Sequence, residues 1–286
     1  MSEVRDVRQW WADNPMTYGE THGRAEYAEG AYEPGTREFY ERVDREFHSW
    51  NAPLHRERPF DRLFPFDEFG PGSRVLEVGC GMGTMASHWA RNGAQVTAVD
   101  LNPVAVERTT RRFELYGLEG DIRQADGRTL PFEDGQFDYV WSWGVLHHSP
   151  EIDVSLRELL RCARPGGGFG VMVYHRRSLL HWYMTEYLQG FLHYERRFVD
   201  GLQLASRYGD GAREEGNPHT WPMTKAELLA PLRERSDDAA VRVLGTDVDG
   251  VLDEAMPGLG RVMPAFIKKP WARRFGWSLW AHGHVR

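Results

Sequence analysis

Three acidic side chains and a cluster of glycines between residues 77 and 127 are the groups in this chain best suited to hold a ligand. Arg74-Val75-Leu76-Glu77-Val78 reads as an apolar strand with a carboxylate near its end, followed by Gly79-Cys80-Gly81-Met82-Gly83-Thr84. Alternating glycines let the chain turn with positive φ and let bare backbone approach a ligand before a helix begins. The pattern suits a nucleotide-like cofactor. A dinucleotide site would read G-x-G-x-x-G, with its third glycine where this chain has Thr84. A second strand ends at Asp100-Leu101, 23 residues after Glu77 and one strand–helix–strand unit later, where a ribose-binding acid belongs. Ala125-Asp126-Gly127 and Trp141-Ser142-Trp143-Gly144-Val145-Leu146-His147-His148 follow. Histidine has the ordinary pKa nearest neutrality, which makes His147 and His148 the candidates for acid–base work.

The glycine segment preceded by Glu77 resembles motif I of the class I S-adenosylmethionine-dependent methyltransferases. Ala94 to Pro103, Gln124 to Phe132, Gln136 to Pro150 and Arg157 to Val173 resemble that family's later signatures, in its order and spacing, across residues 72 to 175. The likeness is greatest to small-molecule enzymes such as those of ubiquinone and menaquinone biosynthesis. It implies that Gly79, Cys80 and Gly81 flank the methionine part of S-adenosylmethionine and that Glu77 orders it. Asp100, with Leu101 beside it, would grip the ribose, and Asp126 would accept from the adenine amino group, with Ala125 and Gly127 leaving room for the ring. An ordinary Asp-Gly turn residue is the competing reading of Asp126. Backbone carbonyls at Ser142 and Trp143 would face the cofactor ammonium, although their side chains also suit plain packing. In some family members a histidine at the place of His147 pairs with a tyrosine from an N-terminal lid, a part Tyr18 is placed to play. One of the two histidines also suits capping the helix that follows. The reaction so implied is in-line displacement of a methyl group from a sulfonium, leaving S-adenosylhomocysteine. Positioning alone is worth roughly 7–11 kcal/mol in such a reaction.

Composition narrows the classes. The chain of 286 residues is 41% hydrophobic, yet no apolar run reaches the roughly 18 residues a bilayer span needs. Acidic residues near the N-terminus and an absence of a basic-then-apolar stretch predict a cytoplasmic protein without a signal peptide. Cys80 and Cys162 are the two cysteines, too few for a disulfide framework, and the histidine spacing fits no zinc template, so no metal is expected. A formal charge of −7 disfavours nucleic acid as a partner. Arginine far outnumbers lysine, which occurs at Lys225, Lys268 and Lys269. That bias suits a GC-rich, actinomycete-like genome and hence natural-product chemistry.

Alternation of strands and helices from residue 74 onward predicts an α/β fold: a Rossmann-like, doubly wound, mostly parallel sheet with a final antiparallel strand. Four regions are expected. Residues 1–70 form a helical N-terminal lid, 71–175 the cofactor-binding core, 176–222 a helical insertion capping the substrate, and 223–286 the rest of the sheet domain. The fifth strand of the core is expected at 168–174, after a break at Arg164-Pro165-Gly166-Gly167. Ser178 to Phe198 is apolar on nearly every side, so it is expected to be buried, as a cap over the site or a homo-oligomer contact. The expected acceptor is a small apolar or aromatic metabolite, methylated on oxygen, nitrogen or carbon. Rival readings are a protein of the same fold and cofactor performing cyclisation or decarboxylation, a cofactor-fold protein kept as an interaction module, and a nicotinamide-dependent oxidoreductase.

Overall fold

The computed structural model describes residues 2–13, 33–209, 217–245 and 248–286. Strands β1 (Arg74–Val78), β2 (Gln95–Asp100), β3 (Gly120–Gln124), β4 (Phe137–Trp143), β5 (Ala163–Tyr174), β6 (Ala240–Leu244) and β7 (Ser278–His284) form one sheet in the order β3-β2-β1-β4-β5-β7-β6. β1 to β5 pair in parallel, and β7 runs antiparallel to both β5 and β6. The order reverses at β1, between β2 and β4. Ligands bind beyond the carboxyl ends of strands at such a switch point.

Helices before the sheet are α1 (Ser2–Asp13), α2 (Arg37–Trp50) and the short α3 (Phe66–Phe69). Within it come α4 (Thr84–Arg91), α5 (Pro103–Tyr116) and α6 (Ile152–Cys162), followed by α7 (Gly201–Tyr208), α8 (Lys225–Arg233), α9 (Val248–Ala255), α10 (Leu259–Val262) and α11 (Ala265–Phe275). Local chemistry explains several of these boundaries. Thr36 caps α2 by accepting from the Phe39 amide, and Asn102 caps α5 by accepting from Val104, with Pro103 as the first helical residue and Gly117 ending the helix in the left-handed region. Val75, Leu76, Val140, Trp141, Val171 and Val173 are almost fully buried, because helices cover both faces of the sheet. On one face Trp89, Trp141, Trp280, Phe64 and Phe66 pack against one another, with ring centroids 4.6–5.5 Å apart. On α2, Tyr40 lies under the buried Arg112 guanidinium (4.6 Å), which Asp44 holds at 2.8 Å.

Two expectations need correction, and one connection holds elements that the sequence leaves unread. β5 starts at Ala163, five residues before the expected position, because Phe137 pairs with Ala163 across a register irregularity that keeps the Arg164-Pro165-Gly166-Gly167 segment at the sheet. The connection from β6 to β7 holds three helices, α9 to α11, where sequence periodicity shows no element. And the apolar insertion is not a buried α-helix: His181–Leu192 is a π-helix. Its buried residues are His181, Thr185 and Gly190, while Trp182, Tyr187, Phe191 and Leu192 are exposed. A wider winding brings positions four and five apart into line. Trp182, Tyr187 and Phe191 consequently stack on each other outside (5.6 and 6.1 Å) instead of inside.

Candidate functional site

β1 delivers Glu77 and the glycine loop to the switch point. Gly79, Gly81 and Gly83 have φ of +88°, +53° and +71°, values that side chains other than glycine rarely tolerate. A Cβ at Gly79 would sit 2.2 Å from Val145, whereas one at Gly81 would meet nothing within 4 Å, so the loop there presents bare backbone to open space. The loop amides at these four positions are occupied within the protein. Gly79 and Cys80 donate to the Val99 carbonyl (2.7 and 3.1 Å), Gly81 to Asp100 Oδ2 (3.0 Å) and Gly83 to the Cys80 carbonyl (2.8 Å). The loop is therefore a steric cradle. An anion-binding nest would need those N–H groups free.

A cavity of about 950 Å³ opens over this loop. Glu77, Gly79, Cys80, Gly81, Asp100, Leu101, Ala125, Asp126, Gly127, Trp143 and His148, all expected from sequence, line it together. Gly83 lies outside it, as the left-handed residue that starts α4. Ser142 also lies outside: fully buried, it donates to the Val78 carbonyl (2.8 Å) and so ties β4 to β1. Tyr18 falls outside the described residues.

The acids differ in their surroundings. Glu77 is 2% exposed, and its Oε2 has no hydrogen-bond partner. Burial first, and the charge of Asp100 second, push its carboxyl well above the ordinary range, against an opposing bond from the Ala86 amide. Asp100 Oδ1 accepts from the Asn102 amide (2.9 Å) and Oδ2 from Gly81, which aims the carboxylate while leaving lone pairs on both oxygens. Burial raises its carboxyl as well. Asp126 takes a fork of hydrogen bonds from Arg128, a residue that nothing in the sequence marks beyond its place two positions after the acid. Burial pushes Asp126 up, but the bonds and charge of Arg128 outweigh it and hold the carboxyl below its usual range.

His147 does not line the cavity, contrary to the expectation that it touches the acceptor. Leu146–His148 is a 3₁₀ turn, which points successive side chains about a third of a turn apart, so the two rings cannot share one direction. His147 is fully buried between Tyr174 (ring centroids 3.9 Å) and His148 (4.2 Å), neither ring nitrogen has a partner, and burial holds it well below its ordinary pKa. His148 is the ring on the cavity wall. Its Nδ1 lies 3.1 Å from the His219 carbonyl oxygen. Asn217 and Thr220 flank the same nitrogen, so the segment after the insertion clamps this histidine.

Sequence reasoning missed most of the opposite wall. α1 contributes Val7, Arg8 and Trp11, the π-helix region Leu180 and Met184, and the late part of the chain Val251, Trp277 and Leu244. Trp11 meets His148 edge to face at 5.1 Å, and its carbonyl accepts from Asn102 Nδ2 at 2.7 Å. One asparagine thus caps α5, helps aim Asp100 through its own amide, and ties α1 to the site. Among the described residues no group of histidine, cysteine and carboxylate side chains is arranged to hold a metal.

A family model described as a methyltransferase domain matches residues 76–171, the stretch that carries all three carboxylates and both histidines. A probable phthiotriol/phenolphthiotriol dimycocerosates methyltransferase of Mycobacterium ulcerans is 45% identical over 34% of this chain and 38% of its own length. A fatty-acid O-methyltransferase of Mycolicibacterium smegmatis is 45% identical over 34% of this chain and 36% of its own. The methyltransferase GfsG of Streptomyces halstedii is 29% identical over 80% of this chain and 78% of its own. The chain spans about two fifths of the length of the first curated relatives it matches. Among solved structures, a [4+2]-cyclase superposes with a TM-score of 0.50 over 99% of this chain and 93% of its own at 20% identity. A methyltransferase from Methanosarcina mazei does so with 0.53 over 78% and 98% at 18% identity. These two likenesses establish the fold alone. Residues 76–171 are a class I methyltransferase domain, and S-adenosylmethionine is its cofactor.

Proposed function

We propose that the chain, built around this class I domain, transfers a methyl group from S-adenosylmethionine to oxygen, nitrogen or carbon of a small, largely apolar or aromatic metabolite. The observation that carries the reading is the make-up of the cavity over the glycine loop. Its loop amides are spent, its polar end presents Glu77, Asp100 and Asp126, and its other walls are Trp11, Phe47, Leu180, Met184, Tyr174 and Trp277. Such a polar end repels a pyrophosphate and suits a ligand bearing an ammonium, ribose hydroxyls and an adenine amine. The volume lies at the upper end of the roughly 300–1,000 Å³ common for ligand pockets, room for an acceptor beside the cofactor.

Bound there, the cofactor supplies a methyl group on positively charged sulfur. Glu77, whose Oε2 is buried and unpartnered, meets the ammonium. Asp100, pre-aimed by two amides, accepts from the ribose hydroxyls, and Asp126 offers lone pairs that Arg128 leaves over to the adenine amine. The N-terminal region and the insertion, through α1 and the π-helix, cover the acceptor end and exclude water. His148, held by the His219, Thr220 and Asn217 contacts at Nδ1, receives the acceptor proton when the acceptor is a phenol or a protonated amine. His147 is a positioning residue that backs its neighbour.

The curated relatives named for dimycocerosate and fatty-acid methylation support an apolar acceptor. Calorimetry comparing S-adenosylhomocysteine with NADH tests the ligand class. Binding of the first and not the second is expected. Preference for NADH would replace this reading with the oxidoreductase one.

A further inference from the structure

Residues 256–275 contain five cations, Arg261, Lys268, Lys269, Arg273 and Arg274, and no acid, in a chain whose formal charge is −7. They also hold two of the three lysines. Helix α11 within this stretch buries no residue, although it carries Phe266, Ile267, Trp271 and Phe275. Phe266 is 77% exposed and Trp271 41%, and Met256 and Val262 are exposed just before them. The helix is held from one side: Ala272 lies against Gly245, and Lys268 is tied to Asp249 (3.0 Å) and to the Gly260 carbonyl (2.7 Å). Phe266, Ile267, Lys269, Arg273 and Arg274 remain turned to the outside together with Trp271. Aromatic rings interleaved with cations, on a helix packed on one side, have the composition of helices that lie in a bilayer interface. There the rings enter the headgroup boundary, and the cationic ends reach up to phosphate.

We infer that α11 and the turn before it dock this protein onto an anionic phospholipid surface. The occupant follows from charge. An acidic protein has general repulsion from such a surface, and among the described residues this is the exposed apolar segment that gathers cations without acids; the exposed π-helix aromatics sit among Glu186, Glu195, Arg196 and Arg197. Binding is peripheral, since no described helix is long and apolar enough to cross a membrane. Docking would also set the cavity close to the lipid, because α9, which packs on α11, supplies Asp249, Gly250 and Val251 to its wall. This inference does not depend on which reaction the cavity performs.

Co-sedimentation of the full chain with phosphatidylcholine vesicles, with and without phosphatidylglycerol, tests it. Partitioning should be at least tenfold stronger with the anionic lipid and should fall as salt is raised. Neutralising Lys269, Arg273 and Arg274 together to Gln should weaken it on the order of 100-fold, at about fivefold per cation near such a surface. Phe266→Ser with Trp271→Ser should also release the protein, and since all five side chains are exposed, circular dichroism should stay parental. Equal binding to both vesicles, or unchanged binding by the variants, overturns the inference. So does a concentration-dependent dimer in ultracentrifugation that Phe266→Ser and Trp271→Ser abolish without any vesicle binding, which would make a second copy the occupant.

Discussion

Replacing Glu77 by Gln should make the protein more stable and its cofactor binding weaker. The carboxylate is buried with Oε2 unpartnered, and Asp100 adds a like charge beside it. An acid with a raised folded-state pKa destabilises the fold when ionised. The unfolded chain releases this proton near the ordinary value of about 4.3, while the folded chain retains it to higher pH. Between those two values the folded state binds more protons, so stability falls as pH rises through the window. Gln has the same shape and no charge, and the fall should vanish in the variant. An unsatisfied buried polar group costs about 1–3 kcal/mol, more when charged, so a gain of about 1 kcal/mol is expected above the window after allowing for the amide's own N–H groups. Affinity should move the other way. A hydrogen bond to a charged partner is worth about 1.5–3 kcal/mol, or about 10- to 150-fold in binding. Denaturant melts across acidic to mildly alkaline pH give the first quantity, and calorimetry with S-adenosylhomocysteine gives the second. A folded variant with parental affinity would remove Glu77 from the ligand site. A variant less stable than the parent above the window would refute the argument from buried charge.

Other outcomes follow from single contacts. His148→Ala should lower kcat by about 10²-fold or more with S-adenosylhomocysteine binding preserved, while His147→Ala should act mainly on KM; equal effects would dissolve the distinction between them. Asn102→Ala should cost about 1 kcal/mol through the lost cap and should speed amide exchange in residues 2–13, since the tether to Trp11 goes with it. His48 and His88 share a hydrogen bond (2.9 Å), and burial lowers both, His88 to about 3. Their neutral forms are the folded ones, so stability should be full above about 6.5 and fall as pH drops toward 3, by about 1.4 kcal/mol per pH unit for each proton taken up. A His88→Gln variant with an unchanged acid slope would assign that slope elsewhere.

The parts of the molecule written in local chemistry are legible in the amino-acid sequence. β1 begins and ends where its apolar run does, and α5 where Asn102, Pro103 and Gly117 place its caps. The three carboxylates converge because each ends or follows a parallel strand on the same edge, a consequence of topology that strand–helix alternation already implies. The assignment between two adjacent histidines is not legible, since it depends on the direction of a single 3₁₀ turn. Nor is Arg128, whose grip on Asp126 is a rotamer. The insertion misleads because its composition reads naturally with the period of an α-helix, whereas the π winding turns its aromatics outward. α11 interleaves cations with its aromatics, a pattern that apolar periodicity alone does not pick out.

The central claim is that one cavity holds S-adenosylmethionine at its carboxylate end and passes the methyl group to an apolar neighbour. Incubating the enzyme and a bacterial metabolite extract with methyl-labelled S-adenosylmethionine, followed by mass spectrometry, tests it most directly. The account predicts S-adenosylhomocysteine formed in equal amount with one labelled small, apolar or aromatic product, both lost in Asp100→Ala. A metabolite converted without label, or label transferred equally by Asp100→Ala, would contradict it.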